Sequence, residues 1–367
     1  MPLKKKAYNQ LIVLFLPILV IAQQNEPAWD LTANKSWPLP FQQVQIKSTM
    51  DNHLQQAWYY ESTGNPLQPL IISLHTWSGD YNQEDPLARE ALLRNWNYIH
   101  PDFRGANNKP EACGSPLVIA DIEDAIRFAI QKGKVDTHNI HIIGVSGGGY
   151  TALLAYMKIR YPVKSFSAWV PISDLRSWYW ESRGRKAKYA DDVEKVAMKN
   201  GAMDWPDLDS RSPIHLLYPA SLRKNAELHI YAGVHDGYTG SVPISQSMQF
   251  YNKIAAAIYP TRKHLLITET LQQSLLAKRI NPAADSTLKL NDRQIHLFRK
   301  TDRISITLFE GGHEMLVPSA LTLIPADNNK NNGNLNILAI GDSNGAAADG
   351  WPNQLQKLLP YSTIINT

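Results

Sequence analysis

The sequence predicts an α/β fold, a mostly parallel central sheet with helices on both faces. Three observations carry this reading. The runs Leu70–Leu74 and Ile140–Val145 are apolar without alternation. Strands buried on both faces of a parallel sheet read this way. Segments with a helical apolar stripe stand between such runs, and the two kinds alternate along most of the chain, as parallel crossovers require.

Taken in order, the first 22 residues read as a signal peptide. Lys4, Lys5 and Lys6 form a basic start, and Leu11–Ile21 forms a short apolar stretch. Val20 and Ala22 sit where a signal peptidase needs small side chains, and polar Gln23 follows. The competing reading is an N-terminal membrane anchor, for which the apolar run is too short. No cysteine stands directly after that run, so a lipid anchor is not expected. The mature chain is expected to be exported, periplasmic or secreted, with no stable membrane anchor.

Two strand-like runs follow, Phe41–Lys47 and Gln55–Glu61. PLIISLHTW and WNYIHPDFRG each read as a strand running into a loop. Ile122, Ala125, Ile126, Ala129 and Ile130 form one helical stripe. After the strand NIHIIGVS comes a second stripe, Tyr150, Leu153, Leu154, Met157 and Tyr161, which Pro162 ends. VKSFSAWVPISD and AELHIYAGVHD are further strands. Pro243 opens a helix whose inner face carries Ile244, Met248, Tyr251 and Ala255. ISITLFEGGHE is the last strand of the series.

Two stretches break this rhythm and read as insertions. Residues 175–225 are polar, aromatic and irregular, and are expected to form a lid over the carboxyl ends of the strands. Residues 259–303 carry a helix-like piece at Leu271–Ala277 and a hairpin at Leu288–Arg299. Asn-rich residues 326–334 read as a linker, which closes a catalytic domain over 23–325. Leu335 begins a fresh strand.

The chain has 367 residues and a net charge of only +4. It shows no basic stripe with interleaved aromatics, so nucleic acid is not an expected partner. Cys113 is the single cysteine, so no intrachain disulfide is expected. It reads as a small buried residue, with a nucleophilic role as the alternative.

The chemistry is carried by IIGVSGGGY. Gly144-x-Ser146-x-Gly148 stands between a buried strand and a helix, the setting in which this pattern presents a strained, exposed serine. Side-chain-free neighbours at Gly144, Gly147, Gly148 and Gly149 allow that turn. The helix start directs N–H groups at the substrate, making the Gly147 N–H one oxyanion donor. A serine nucleophile needs a base and an acid to orient it. In the chain order Ser, Asp, His, Asp236 and His313 both stand at the carboxyl ends of strands with glycines beside them. Asp174 is the rival acid, with a helix N-cap as its structural reading, and His235 is a minor alternative base. Val317 stands where HExxH needs a second histidine, so His313 does not read as a zinc ligand. No metal and no cofactor are expected. The second oxyanion donor is expected in the loop after IISLH, from the N–H of Thr76 or Trp77.

These motifs resemble the α/β-hydrolase catalytic domain of the prolyl oligopeptidase family, from about Phe41 to Ile324. DFRG (Asp102–Gly105), GVSGGGY, PISD, the Ser212-Pro213 element, HDGYTGSVPISQS and EGGHE all come in that family's order. The resemblance implies Ser146, Asp236 and His313 as the triad, and brings Arg104 of DFRG in as a substrate contact. The mature sequence before the first strand-like run is too short for the β-propeller of the larger peptidases of the family. LHTWSGD reads more like the His-Gly loop of esterases.

Trp178, Trp180 and Arg183, in the lid stretch, are candidate substrate contacts, since aromatic faces suit sugar rings or acyl groups and arginine suits a carboxylate. Plain lid packing is the alternative. ILAIGDSNG, with Ser343, is similar to the first block of the SGNH (GDSL-type) hydrolases. Residues 335–367 are therefore expected to be the start of such a domain, with no histidine downstream to serve Ser343. That neighbour tilts the expected substrate toward esters of acylated carbohydrate, with short peptides as the alternative and a catalytically silent binding module as a third reading.

Overall fold

The computed structural model describes residues 36–277, 288–322, 336–339 and 363–366. The leader, the Asn-rich stretch and Ser343 lie outside these. Strands β1 (Gln42–Lys47) and β2 (Leu54–Tyr60) form an antiparallel hairpin. β3 (Gln68–Leu74) is followed by α1 (Pro86–Leu93), β4 (Asn97–Pro101), α2 (Pro116–Lys132), β5 (Val135–Val145), α3 (Gly147–Lys158) and β6 (Ser165–Trp169). The insertion then contributes α4 (Leu175–Gly184), α5 (Tyr189–Ala197), the two-residue strands β7 (Met198–Lys199) and β8 (Ala202–Met203), and α6 (Trp205–Arg211). β9 (Glu227–Gly233), α7 (Ser245–Ile258), α8 (Glu269–Leu276), β10 (Lys289–Leu290), β11 (Arg293–Lys300), β12 (Ile304–Phe309) and α9 (Val317–Ala320) complete the domain.

Among the described residues, ten strands form one sheet in the order β1-β2-β4-β3-β5-β6-β9-β12-β11-β10. The centre, from β4 to β12, is parallel, and both margins are antiparallel. Burial does not alternate along the central strands: Leu70, Ile71 and Ile72 on β3 and Ile142 and Ile143 on β5 are all fully buried. Helices on each face explain why these strands need apolar side chains on both sides. This is the α/β-hydrolase arrangement, and it brings the carboxyl ends of β3, β5, β9 and β12 to one rim.

The inserted stretch is more regular than its sequence suggests. α4 is capped by Asp174, whose side chain accepts from the N–H groups of Arg176 and Ser177, and α6 by Asp204, which accepts from Asp207 N. Such caps satisfy donors that a short helix leaves open. The helices pack on a second apolar cluster, in which Leu175, Trp178, Val193 and Leu208 meet Trp77 and Tyr150. Beyond the domain, Asn336–Ala339 (β13) pairs in parallel with Thr363–Asn366 (β14). A strand is thus present just after Leu335.

Candidate active site

Ser146 sits at the turn between β5 and α3 with φ 57° and ψ −117°. A non-glycine residue in this region is strained, and the surroundings must hold it there. Its N–H donates to the Trp169 carbonyl at 2.9 Å, and its own carbonyl accepts from Tyr150 N. The turn fits because its neighbours lack side chains. A Cβ on Gly148 would overlap the Leu74 carbonyl, and one on Gly147 would overlap the backbone of Trp77.

His313 follows β12 and lies with Nε2 at 2.8 Å from Ser146 Oγ and Nδ1 at 2.8 Å from Asp236 Oδ2. Asp236 follows β9. Its other oxygen accepts from the N–H groups of Gly237, at 2.8 Å, and Val242, at 3.0 Å. Gly237 takes φ +80°, which lets the loop fold back over the carboxylate. The acid and histidine loops are tied directly, since His235 N donates to the Gly311 carbonyl at 3.0 Å. The structure therefore brings Ser146, His313 and Asp236 into one chain of contacts.

The alternatives are accounted for otherwise. Asp174 is engaged as the cap of α4. His235 Nε2 faces Glu310 Oε1 at 2.7 Å, and His296 takes the other oxygen of that carboxylate. Among the described residues no group of histidine, cysteine and carboxylate side chains has the arrangement of a metal site.

Thr76 and Trp77 form the wall opposite the nucleophile turn. The N–H of Thr76 already donates to Gln83 Oε1 at 3.0 Å, as does its hydroxyl. That leaves the Trp77 N–H, against which Gly147 packs, as the one of the two facing the turn. The indole of Trp77 is buried, and its Nε1 donates to Asp192 Oδ2 at 3.2 Å.

A cavity of about 420 Å³ opens on Ser146 and His313. Thr76, Trp77 and Ser78 form one wall, Lys188 and Tyr189 another, and Thr239–Ser241 the third. Slightly larger surface clefts, of about 490 and 480 Å³, lie elsewhere and are lined by neither Ser146 nor His313.

None of the four expected substrate contacts lines this cavity. Arg104 is buried and committed to other side chains. It donates to both oxygens of Asp121, both oxygens of Asp51 and the Ser48 hydroxyl. This guanidinium holds the Asp51 carboxyl well below the usual range. Trp178 is fully buried, edge-on to Trp77 at 4.6 Å, with Nε1 donating to the Ser241 carbonyl. Trp180 is exposed and stacks on Trp205 at 5.8 Å. Arg183 pairs with Glu194 at 2.6 Å.

Sequence reasoning missed Lys188 and Tyr189, which stand in the same polar, aromatic stretch. It also missed Arg185, whose guanidinium donates to the carbonyls of Gly237, Gly240 and Ser241 at 2.8–3.0 Å and pins the lid to the acid loop.

Cys113 is fully buried, and burial pushes its thiol up to about 12. A thiol so held is neither exposed nor ionised, so it is no nucleophile. Thiol reagents are expected to leave the native protein unmodified at about pH 8 and to titrate one thiol in denaturant. Full reaction under native conditions would contradict that placement.

Residues 117–278 match the model of the prolyl oligopeptidase family. No curated protein matches the chain significantly. Among solved structures it is similar to a puromycin-hydrolysing peptidase of Mycobacterium tuberculosis, with 14% identity and TM-score 0.49 over 77% of this chain and 37% of that one. An acylaminoacyl peptidase of Pyrococcus horikoshii is 18% identical, with TM-score 0.45 over 58% of this chain and 34% of that one. Prolyl oligopeptidase B of Galerina marginata is 13% identical, with TM-score 0.48 over 65% of this chain and 34% of that one. The chain thus spans about a third of the length of these proteins. It carries an α/β-hydrolase domain with the Ser-His-Asp arrangement of a serine hydrolase, and residues 117–278 of that domain match the prolyl oligopeptidase family.

Proposed function

We propose that this domain hydrolyses amide bonds of short peptides through an acyl-enzyme on Ser146. The observation that carries the chemistry is the pair of 2.8 Å contacts from His313 to Ser146 and to Asp236 at the floor of the cavity. The family match over 117–278 supports a peptide rather than an ester substrate.

The steps follow from the geometry. Ser146 Oγ attacks the carbonyl carbon while its proton passes to His313 Nε2. Asp236 accepts from Nδ1–H, which holds the tautomer with a basic Nε2 and stabilises the imidazolium. The oxyanion takes hydrogen bonds from the N–H groups of Gly147 and Trp77, fixed donors that need no reorganisation as charge develops. The imidazolium then gives its proton to the leaving amine. Water, deprotonated by the same Nε2, attacks the acyl ester and frees Ser146. The lid and the small cavity favour short substrates.

A second reading is a carboxylic-ester hydrolase on acylated carbohydrate. It is supported by the resemblance at Gly341-Asp342-Ser343, which lies outside the described residues. The same region would begin an SGNH-type domain, and the pattern of residues 1–22 supports export.

Parallel assays with aminoacyl and dipeptidyl 4-nitroanilides and with acetylated xylan or aryl acetates separate the two readings. Nitroanilide turnover that disappears in Ser146→Ala is the expected result. Ester turnover with no amide turnover would replace the peptidase reading with the esterase one.

A further inference from the structure

The cavity over Ser146 is walled mostly by neutral groups. Its one permanently charged side chain is Lys188. The ammonium group donates to the Ser78 hydroxyl at 3.1 Å and lies 5.5 Å from the ring centre of Tyr189, and both partners are neutral. Among the described residues no carboxylate lies within ion-pair distance of it. Two of the acidic groups close by are committed elsewhere, and Asp191, in the first turn of the same helix, makes no ion pair with it. Both oxygens of Asp236 serve the triad and its loop, and those of Asp192 are taken by Trp77 and Lys195.

Nor does helix stability explain a lysine here. Lys188 is the N-cap residue of α5 and makes no side-chain cap bond. A cation at this end opposes the helix macrodipole, which favours acidic groups there, as Asp191 and Asp192 supply in the first turn. The position thus adds a positive charge that the helix end disfavours and that only the neutral Ser78 hydroxyl and Tyr189 ring engage. It stands on the wall of a cavity that also holds the nucleophile, with the Ser78 and Ser241 side chains offering further hydrogen bonds.

We infer that Lys188 is a specificity-determining residue and that the preferred substrates carry a carboxylate beside the scissile carbonyl. This deepens the hydrolase reading and rests on it. Lys188 is exposed at the cavity rim, so the attraction is modest and screened by salt.

The test uses two pairs of aryl esters that differ only in charge. In one the carboxylate is on the acyl side, aryl adipate monoesters against the corresponding adipamates. In the other it is on the leaving group, acetyl-3-hydroxybenzoate against acetyl-3-hydroxybenzamide. Wild type is expected to favour the anionic member of at least one pair by about 2- to 5-fold in kcat/KM. That ratio should fall to about one in Lys188→Met, invert in Lys188→Glu, and shrink on raising NaCl from about 0.02 to 0.5 M. Aspartyl against asparaginyl nitroanilides, and acetylated glucuronate against acetylated glucose, then tell an acidic peptide from a uronate. Equal rates within both ester pairs, or a charge preference that survives Lys188→Met, would overturn the inference. Labelling of Ser146 by a fluorophosphonate without turnover of any ester would also overturn it, leaving the hydrolase reading in place. No labelling and no turnover would remove that reading and the inference together.

Discussion

Ser146→Ala is expected to lower kcat by about 10⁴- to 10⁶-fold, with the fold and Tm intact. The size follows from what the residue does. Without Oγ there is no acyl-enzyme, and only binding and the oxyanion donors remain, which leave a residual rate about 10³-fold over water. His313→Ala should cost about as much. The double variant should be no worse than either single one, because the two act as a unit. Asp236→Asn is expected to reduce kcat by about 10⁴-fold near neutral pH, since an amide in place of Oδ2 favours the wrong tautomer of His313. A double variant with an additive loss would mean that serine and histidine do not share the proton transfer. Steady-state kinetics on a nitroanilide measures all four enzymes.

Arg104→Met is expected to give the largest loss of stability, about 3–5 kcal/mol, with a fall in Tm of roughly 5–15 °C. Arg104 is 8% exposed and Asp121 fully buried, so removing the guanidinium leaves a buried carboxylate without its counter-charge, held by the Ser48 hydroxyl at 2.6 Å. Asp51, on the more exposed side, contributes less, because solvent screens it. Its lowered folded-state value makes its share of stability present above the unfolded carboxylate value and lost as pH falls from there through the folded one. Replacing Asp121 as well, by leucine, should recover part of the loss. The folded fraction of Arg104→Met should keep its kcat/KM within about 2-fold, since none of the side chains of this cluster lines the cavity over Ser146. Chemical denaturation and kinetics on the same preparation check both halves. A raised KM at unchanged stability would instead return Arg104 to the substrate.

What can be read from the sequence follows from how local each signal is. The nucleophile turn is written in nine consecutive residues, because the strain at Ser146 has to be relieved by its immediate neighbours. Asp236 and His313 each carry their glycines beside them at a strand end. The buried strands announce themselves by a lack of alternation.

Arg104 has no such signature. Its partners come from Ser48, Asp51 and Asp121, so a motif that marks a conspicuous arginine says nothing of whether it faces substrate or a buried carboxylate. The lid is the least legible part. Its helices are short, begun by Asp174 and Asp204 rather than by long apolar stripes, and held by contacts to Trp77 and to the carbonyls at Gly237–Ser241. Whether an aromatic side chain there lines the cavity or fills the space beneath it is decided by those distant partners. Trp178 fills, Trp180 faces away, and Lys188 and Tyr189 do the lining.

The central claim is that Ser146, activated by His313, is the nucleophile. Treating the native protein with a fluorophosphonate and locating the adduct by mass spectrometry tests it most directly. One adduct on the peptide that contains Ser146, absent from Ser146→Ala and formed far more slowly in His313→Ala, is the result expected here. No adduct on wild type, or an adduct that persists in Ser146→Ala, would contradict it.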